Sequence, residues 1–86
     1  MWGRPRRSLA RSRIAVTGAS RGIGLALAEE LARRGAKLIL NARREEVLRE
    51  VAAKLTARGA DAVCAPGDIA DEGVRRQLLA AATDRF

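Results

Sequence analysis

Two Gly-Ala pairs set the architecture of this chain. Gly35-Ala36 and Gly59-Ala60 stand 24 residues apart, and each lies between an amphipathic segment and a short apolar run. Apolar residues spaced three or four apart predict a helix, and a glycine directly after it is the usual helix-ending residue. The short apolar runs predict buried strands. Strands and helices that alternate with short loops predict a parallel sheet with right-handed crossovers.

The same patterns give bounds for six elements. Strands are predicted at residues 13–17, 37–41 and 62–65, and helices at residues 22–34 and 44–58, with a last helix capped by Asp71. The predicted fold is α/β, a partial Rossmann fold of order βαβαβα with a three-stranded parallel sheet in spatial order 3-2-1. The apolar stripes that should face the sheet are Ile23, Leu27 and Leu31, then Val47, Val51 and Leu55 widened by Leu48 and Ala52, then Val74, Leu78 and Ala82.

The net charge of +7 is concentrated at the amino terminus. Residues 1–13 hold five arginines and no acid, giving +5, whereas residues 14–86 hold 12 basic and 10 acidic residues, giving +2. We predict a basic, disordered leader over residues 1–12, followed by a nearly balanced domain over residues 13–86. The leader is either a solvated tail or a mitochondrial-type transit peptide. We do not expect a nucleic-acid partner, because no recognition motif accompanies the arginines.

Residue types that are rare or missing limit the chemistry. The chain has one cysteine, Cys64, and no histidine, so it can form neither an intrachain disulfide nor a Cys/His metal cluster. Cys64 lies in a predicted buried strand without a histidine to activate it, and we interpret it as a packing residue. No run approaches 18 consecutive apolar residues, so we expect no membrane partner. A reducing, cytoplasmic location fits these features.

The segment between the first strand and the first helix is rich in glycine. It reads Thr17-Gly18-Ala19-Ser20-Arg21-Gly22-Ile23-Gly24. Gly18 allows a sharp turn out of the strand, Gly22 allows backbone to approach a ligand, and Gly24 allows the helix to pack against the strand. The free N–H groups and dipole of the following helix favour an anion, for which a pyrophosphate is the natural candidate. No Gly-Lys-Ser/Thr follows, which excludes a P-loop.

With Thr17 in front, the spacing Gly18-x-x-x-Gly22-x-Gly24 resembles the cofactor signature of the short-chain dehydrogenase/reductase family. The resemblance runs from about residue 13 to residue 86. It implies a nicotinamide dinucleotide cofactor and, in the complete protein, a small carbonyl or alcohol substrate and a homo-oligomer. It also implies that Asp68 contacts the adenine amino group, with the backbone of Ile69 alongside; alternatively, Asp68 only closes a turn after Pro66-Gly67.

The end of the second strand favours NADP(H) over NAD(H). An NAD-binding site places a carboxylate there for the ribose 2′-hydroxyl, and that carboxylate would repel a 2′-phosphate. This chain has Asn41-Ala42-Arg43-Arg44 instead. Arg43 can bind phosphate bidentately, and Arg21 matches the second basic residue of the family's NADP-preferring members; we interpret Arg44 as a surface residue. The predicted cofactor-binding residues are Gly18, Ser20, Arg21, Gly22, Ile23, Gly24, Arg43, Asp68 and Ile69.

The resemblance also implies catalytic residues that this sequence does not contain. The family uses a tyrosine acid/base, a lysine four residues later and a serine, but the sequence has no tyrosine, and its lysines, Lys37 and Lys54, fall in other contexts. We therefore expect the cofactor-binding portion of an NADP(H)-dependent oxidoreductase, without catalytic residues of its own and inactive alone. A non-catalytic nucleotide-sensing or protein-binding module is the alternative. A sheet of three strands would leave an apolar edge, which predicts marginal stability or aggregation.

Overall fold

The computed structural model describes residues 12–85. The predicted basic leader over residues 1–12 lies outside the described residues, apart from Ser12 itself. Three strands alternate with three helices, and a short π-helical turn follows the last helix. The elements are β1 (Arg13–Thr17), α1 (Gly22–Arg33), β2 (Lys37–Asn41), α2 (Glu45–Ala57), β3 (Ala62–Cys64), α3 (Glu72–Ala80) and the turn Ala81–Arg85.

The three strands form one parallel sheet in the order β1-β2-β3. Residue 13 pairs with residue 37 and residue 17 with residue 41, while Leu38 pairs with Ala62 and Leu40 with Cys64. This arrangement is the predicted order 3-2-1 counted from the other edge, so the predicted fold class and strand order are confirmed. The central strand β2 therefore determines where both neighbouring strands lie.

Both faces of β2 are buried. Leu38 and Leu40 are fully buried in a cluster with α1 and α2, while Ile39 packs on the opposite face with Leu78 of α3 and Ala65. Apolar residues in succession are typical of a parallel strand that is covered on both sides. The sheet is thus the middle layer, with two helices on one face and one helix on the other.

The predicted apolar stripe of α1 is wrong in part. Ile23 is 89% exposed and Leu27 is 48% exposed, whereas Ala28 is completely buried against the sheet. A Cβ at Gly24 would collide with the carbonyl oxygen of Gly18, so the helix starts in very close contact with the loop after β1. Because of this contact, the helix face that carries Gly24 and Ala28 lies against the sheet. The larger side chains of Ile23 and Leu27 remain outside the core.

Some element ends differ from the predicted bounds by one residue, and at the helices the reason is that the terminal residue acts as a cap. Helix α1 ends at residue 33 and α2 covers residues 45–57, since Arg34, Arg44 and Arg58 are cap residues; β3 ends at Cys64. The helix-ending glycines are confirmed. The N–H groups of Gly35 and of the alanine after it donate to the carbonyl oxygens of Ala32 and Leu31. Gly59 and the alanine after it make the equivalent bonds at the end of α2. Both helix ends are therefore Schellman motifs.

The predicted cap of the last helix is also confirmed. Oδ1 of Asp71 accepts hydrogen bonds from the backbone N–H of Gly73 at 2.7 Å and of Val74 at 3.4 Å. An aspartate at this position satisfies N–H groups that have no partner within the helix. The cap therefore fixes where α3 starts after the loop that follows β3.

The close approach at Gly24 predicts that Gly24→Ala destabilises the fold. Alanine favours a helix by about 1 kcal/mol over glycine, but the collision with the Gly18 carbonyl oxygen outweighs this gain. The net free energy of unfolding should fall by about 2 kcal/mol. Urea unfolding followed by circular dichroism measures this change. Ala26→Gly, an exposed position of the same helix, should cost only about 1 kcal/mol. A Gly24→Ala chain as stable as wild type would contradict the prediction.

The exposed apolar side chains of α1 predict self-association of the chain. Leu27 is half exposed, and Ala15 is exposed on the sheet face opposite α1. Sedimentation equilibrium should show association that increases with concentration, and Leu27→Gln should shift it to higher concentrations, while Ala26→Gln at a neighbouring exposed position should not. A monomeric wild-type chain with a cooperative thermal transition would refute this prediction.

Candidate functional site

The carboxyl ends of the three parallel strands meet at one edge of the sheet. The loops that leave β1, β2 and β3 surround a groove of about 730 Å³ there. In open α/β sheets, ligands bind in the crevice outside the carboxyl ends of the strands. The groove is lined by Thr17, Gly18, Ser20, Arg21, Asn41, Ala42, Arg43, Arg44, Val47, Gly67, Asp68 and Ile69.

The first wall of the groove is the glycine-rich loop after β1. Gly18 and Gly22 both have a φ of +63°, a conformation that other residues rarely adopt. Ala19 between them is completely buried, and its N–H donates to the carbonyl oxygen of Asn41 at 2.9 Å. The loop is therefore attached to the end of β2, and its backbone conformation requires the two glycines.

Helix α1 starts at the groove. Arg21 is its N-cap residue, with extended backbone and no capping bond from its side chain, and the first turn contains no acidic residue. The first N–H groups of a helix have no partner within the helix, and the helix dipole is positive at this end. The start of α1 therefore has the electrostatics of an anion site, and no carboxylate of its first turn opposes an anion.

The second wall carries an ion pair between two predicted site residues. The guanidinium of Arg43, after β2, lies 3.2 Å from a carboxylate oxygen of Asp68, after β3. The other carboxylate oxygen of Asp68 accepts a hydrogen bond from the N–H of Ala70 at 2.9 Å. Asp68 thus closes the turn, as one sequence interpretation proposed, and is also paired with Arg43 on this wall of the groove.

Asn41 is a site residue whose role sequence reasoning missed. It is 2% exposed, and its Nδ2 donates to the carbonyl oxygens of Ala65 at 2.9 Å and Gly67 at 3.1 Å. Buried polar groups are nearly always hydrogen-bonded. The signal in the sequence was an asparagine at the end of an otherwise apolar strand. This signal did not show which carbonyl groups its amide would bond.

The structure brings six of the nine predicted site residues together around the groove, and places three beside it. Gly22, Ile23 and Gly24 form the start of α1 rather than the lining of the groove. Those that line it are Gly18, Ser20, Arg21, Arg43, Asp68 and Ile69.

Comparison with known proteins identifies the fold that contains this groove. The family model for short chain dehydrogenase matches residues 12–86. The chain belongs to the short-chain dehydrogenase family. It is 46% identical over 76 residues to a hydroxysteroid 11-beta-dehydrogenase 1-like protein of Xenopus tropicalis, and 48% identical over 65 residues to gluconate 5-dehydrogenase of Gluconobacter oxydans.

A solved structure of the same family superposes closely. L-sorbose reductase from Gluconobacter frateurii, in complex with NADPH and L-sorbose, matches 92% of this chain with a TM-score of 0.85 and 30% identity. This chain covers 30% of that reductase. The matches to the Xenopus and Gluconobacter oxydans proteins cover 87% and 76% of this chain but only 27% and 25% of those proteins. The chain therefore spans between a quarter and a third of the length of these family members.

The described residues contain neither a helix that could span a membrane nor a cluster of metal-ligating side chains. No helix among residues 12–85 is long and apolar enough to cross a membrane. In the same part of the chain, no group of three or more His, Cys, Asp or Glu side chains could hold a metal ion.

A second groove of about 670 Å³ lies between α2 and β3 and contains Cys64. The Cys64 thiol is partly buried and lies 3.8 Å from the carbonyl oxygen of Leu48. Burial raises the pKa of the thiol, and the nearby Arg49 guanidinium only partly opposes this shift. Because the thiolate is the reactive form, a raised pKa makes Cys64 a poor nucleophile. The groove has neither a glycine loop nor a helix start, so the first groove remains the candidate site.

The raised pKa of Cys64 predicts slow alkylation and a loss of stability at alkaline pH. Above an ordinary thiol pKa of about 8.5, the unfolded chain loses the thiol proton while the folded chain retains it, so the free energy of unfolding falls as the pH rises. Urea unfolding between pH 7.5 and 10 should show a steeper fall for wild type than for Cys64→Ala. Iodoacetamide at pH 8 should label the folded chain more slowly than the chain in urea; equal rates would contradict the burial argument.

Proposed function

We propose that this chain binds NADP(H) and forms the cofactor portion of a short-chain oxidoreductase that transfers hydride between NADP(H) and a carbonyl or alcohol substrate. The observation that carries the proposal lies just after β2, where Arg43 lines the groove and residues 41–44 include no carboxylate. For the complete protein we further propose a homo-oligomer in the cytoplasm. This chain's own contribution is cofactor binding, because its sequence contains no tyrosine to act as the family's acid/base.

The glycine loop and the start of α1 would hold the pyrophosphate. The first-turn N–H groups can donate to phosphate oxygens, and Gly18 and Gly22 provide the backbone turn that leads into the helix. Ile23 at the start of α1 is highly exposed, so it can contact a ligand that extends beyond the groove. Hydrogen-bond donors, a positive helix end and no opposing first-turn acid together fit the chemistry of a pyrophosphate.

Arg43 would bind the 2′-phosphate that distinguishes NADP from NAD. Its side chain is 79% exposed, and its partner Asp68 is 48% exposed. Exposed ion pairs contribute about 0–1 kcal/mol, whereas a hydrogen bond between arginine and phosphate is charge-assisted and bidentate. A phosphate could therefore take over the guanidinium at little cost, and Arg21 on the opposite wall would add a second positive charge.

Asp68 and Ile69 would bind the adenine. When Arg43 turns to the phosphate, the outer carboxylate oxygen of Asp68 becomes available to accept a hydrogen bond from the adenine amino group. The inner oxygen stays bonded to the N–H of Ala70, which keeps the carboxylate oriented. The similar L-sorbose reductase was solved in complex with NADPH, which supports this choice of cofactor.

A non-catalytic nucleotide-sensing or protein-binding module is the competing proposal for the complete protein. Both proposals use the same groove and differ only in what the rest of the protein does. A coding sequence that continues beyond Phe86 into a Tyr-x-x-x-Lys segment would favour the oxidoreductase, and a continuation without it would favour the module.

The proposal predicts a preference for NADPH over NADH that depends on Arg43. Removing a bidentate contact to phosphate should cost about 2 kcal/mol, or roughly 30-fold in affinity. Arg43→Ala should therefore weaken NADPH binding by about this factor and leave NADH binding nearly unchanged, and Arg43→Ala with Arg21→Ala should abolish the preference. Fluorescence titration of the chain with each cofactor measures both affinities.

The matched control is Arg44→Ala. Arg44 is exposed, lines the same groove and carries the same charge as Arg43, but it is the N-cap residue of α2. Its removal should change the preference by less than about threefold, because it contributes only a screened charge. Equal affinity of the wild-type chain for NADPH and NADH would overturn the assignment of the two arginines.

A further inference from the structure

Asn41 occupies an unusual place in the core. Among residues 12–83, whose burial the structure describes, it is the only buried polar residue, at 2% exposure. It ends a strand whose three preceding residues are fully buried and apolar. A polar side chain there costs free energy unless its hydrogen bonds are made. Its amide group makes both bonds, to the carbonyl oxygens of Ala65 and Gly67, so its place in the core depends on the segment after β3.

The two bonds add to the backbone pairing between the segment after β3 and the end of β2. After β3, the N–H of Ala65 donates to Leu40 at 2.8 Å and the N–H of Gly67 donates to Ala42 at 2.9 Å. Pro66 lies between them and has no N–H group. The Asn41 amide bonds the carbonyls on both sides of this proline, so the segment 65–67 follows the end of β2 closely.

We propose that Asn41 is a positioning residue for the cofactor site, a role that rests on the function proposed above. By holding the segment 65–67, its amide places the next residue, Asp68, within 3.2 Å of Arg43. A carboxylate at position 41 would set acceptor oxygens against two carbonyl oxygens, and an apolar side chain would leave both carbonyls without this donor. An amide therefore suits position 41, because its NH₂ group can donate to both carbonyl groups of the loop after β3.

The test is a double-mutant cycle on the binding of adenosine 2′,5′-bisphosphate, which carries the adenine, ribose and 2′-phosphate of NADP. If Asn41 acts through Asp68, then Asn41→Leu and Asp68→Ala should each weaken binding about tenfold, the value expected for one charged hydrogen bond. The double variant should also lose about tenfold rather than about a hundredfold, since neighbours in one network are not additive. NMR titration of the folded chains gives the four affinities.

The control separates positioning from general stability. Val51→Ala removes a buried side chain of α2 that does not line the groove, and it should lower stability while leaving the affinity of the folded chain within twofold. A folded Asn41→Leu chain with wild-type affinity, or losses that multiply in the double variant, would overturn the proposal. If the wild-type chain binds no adenosine bisphosphate, the proposed function fails and this role fails with it.

Two further measurements cover the case in which Asn41→Leu does not fold. Asn41→Ser keeps a small polar side chain but is too short to bond both carbonyls, and it enters the same cycle with the same expectations. In the wild-type chain, ligand binding should slow hydrogen exchange at the N–H groups of Ala65 and Gly67 by the same factor. Slowing at only one of the two would overturn the proposal, because the segment would not then move as one unit.

Discussion

The burial of β2 on both faces is the constraint on which the rest of the structure depends. Leu38 and Leu40 need α1 and α2 to cover them, and Ile39 needs α3. A strand in the middle of a parallel sheet must also have all its backbone groups paired, which places β1 and β3 on its two sides. The carboxyl end of β2 is consequently the point where all three strand-to-helix loops come together.

The candidate site is built around that end of β2. The Asn41 carbonyl holds the glycine loop through Ala19, and the Asn41 amide holds the loop after β3 through Ala65 and Gly67. The charges also lie on two sides of the groove. The positive end of the α1 dipole is on one side, and the Arg43–Asp68 ion pair is on the other. This distribution of hydrogen-bond donors and charges matches the chemistry of a phosphate-rich ligand.

Most of the fold could be predicted from local patterns. The strand and helix bounds agree with the structure to within one residue, because glycine ends, Asp71 as a cap and apolar periodicity all act over a few residues. The buried face of α1 could not be predicted in this way. Ile23 and Leu27 have the expected spacing, but the contact between Gly24 and Gly18 decides how closely the helix approaches the sheet and therefore which face it buries.

The sequence by itself determined the βα alternation, the parallel sheet and the set of residues around one edge, since each follows from spacing along the chain. Only the tertiary structure decided how those residues are paired. Arg43 and Asp68 are 25 positions apart, and Asn41 is 24 and 26 positions from its two carbonyl partners. Such pairs form only when parallel strands bring distant residues into register, and a hydrogen bond requires a distance and direction that spacing along one strand does not specify.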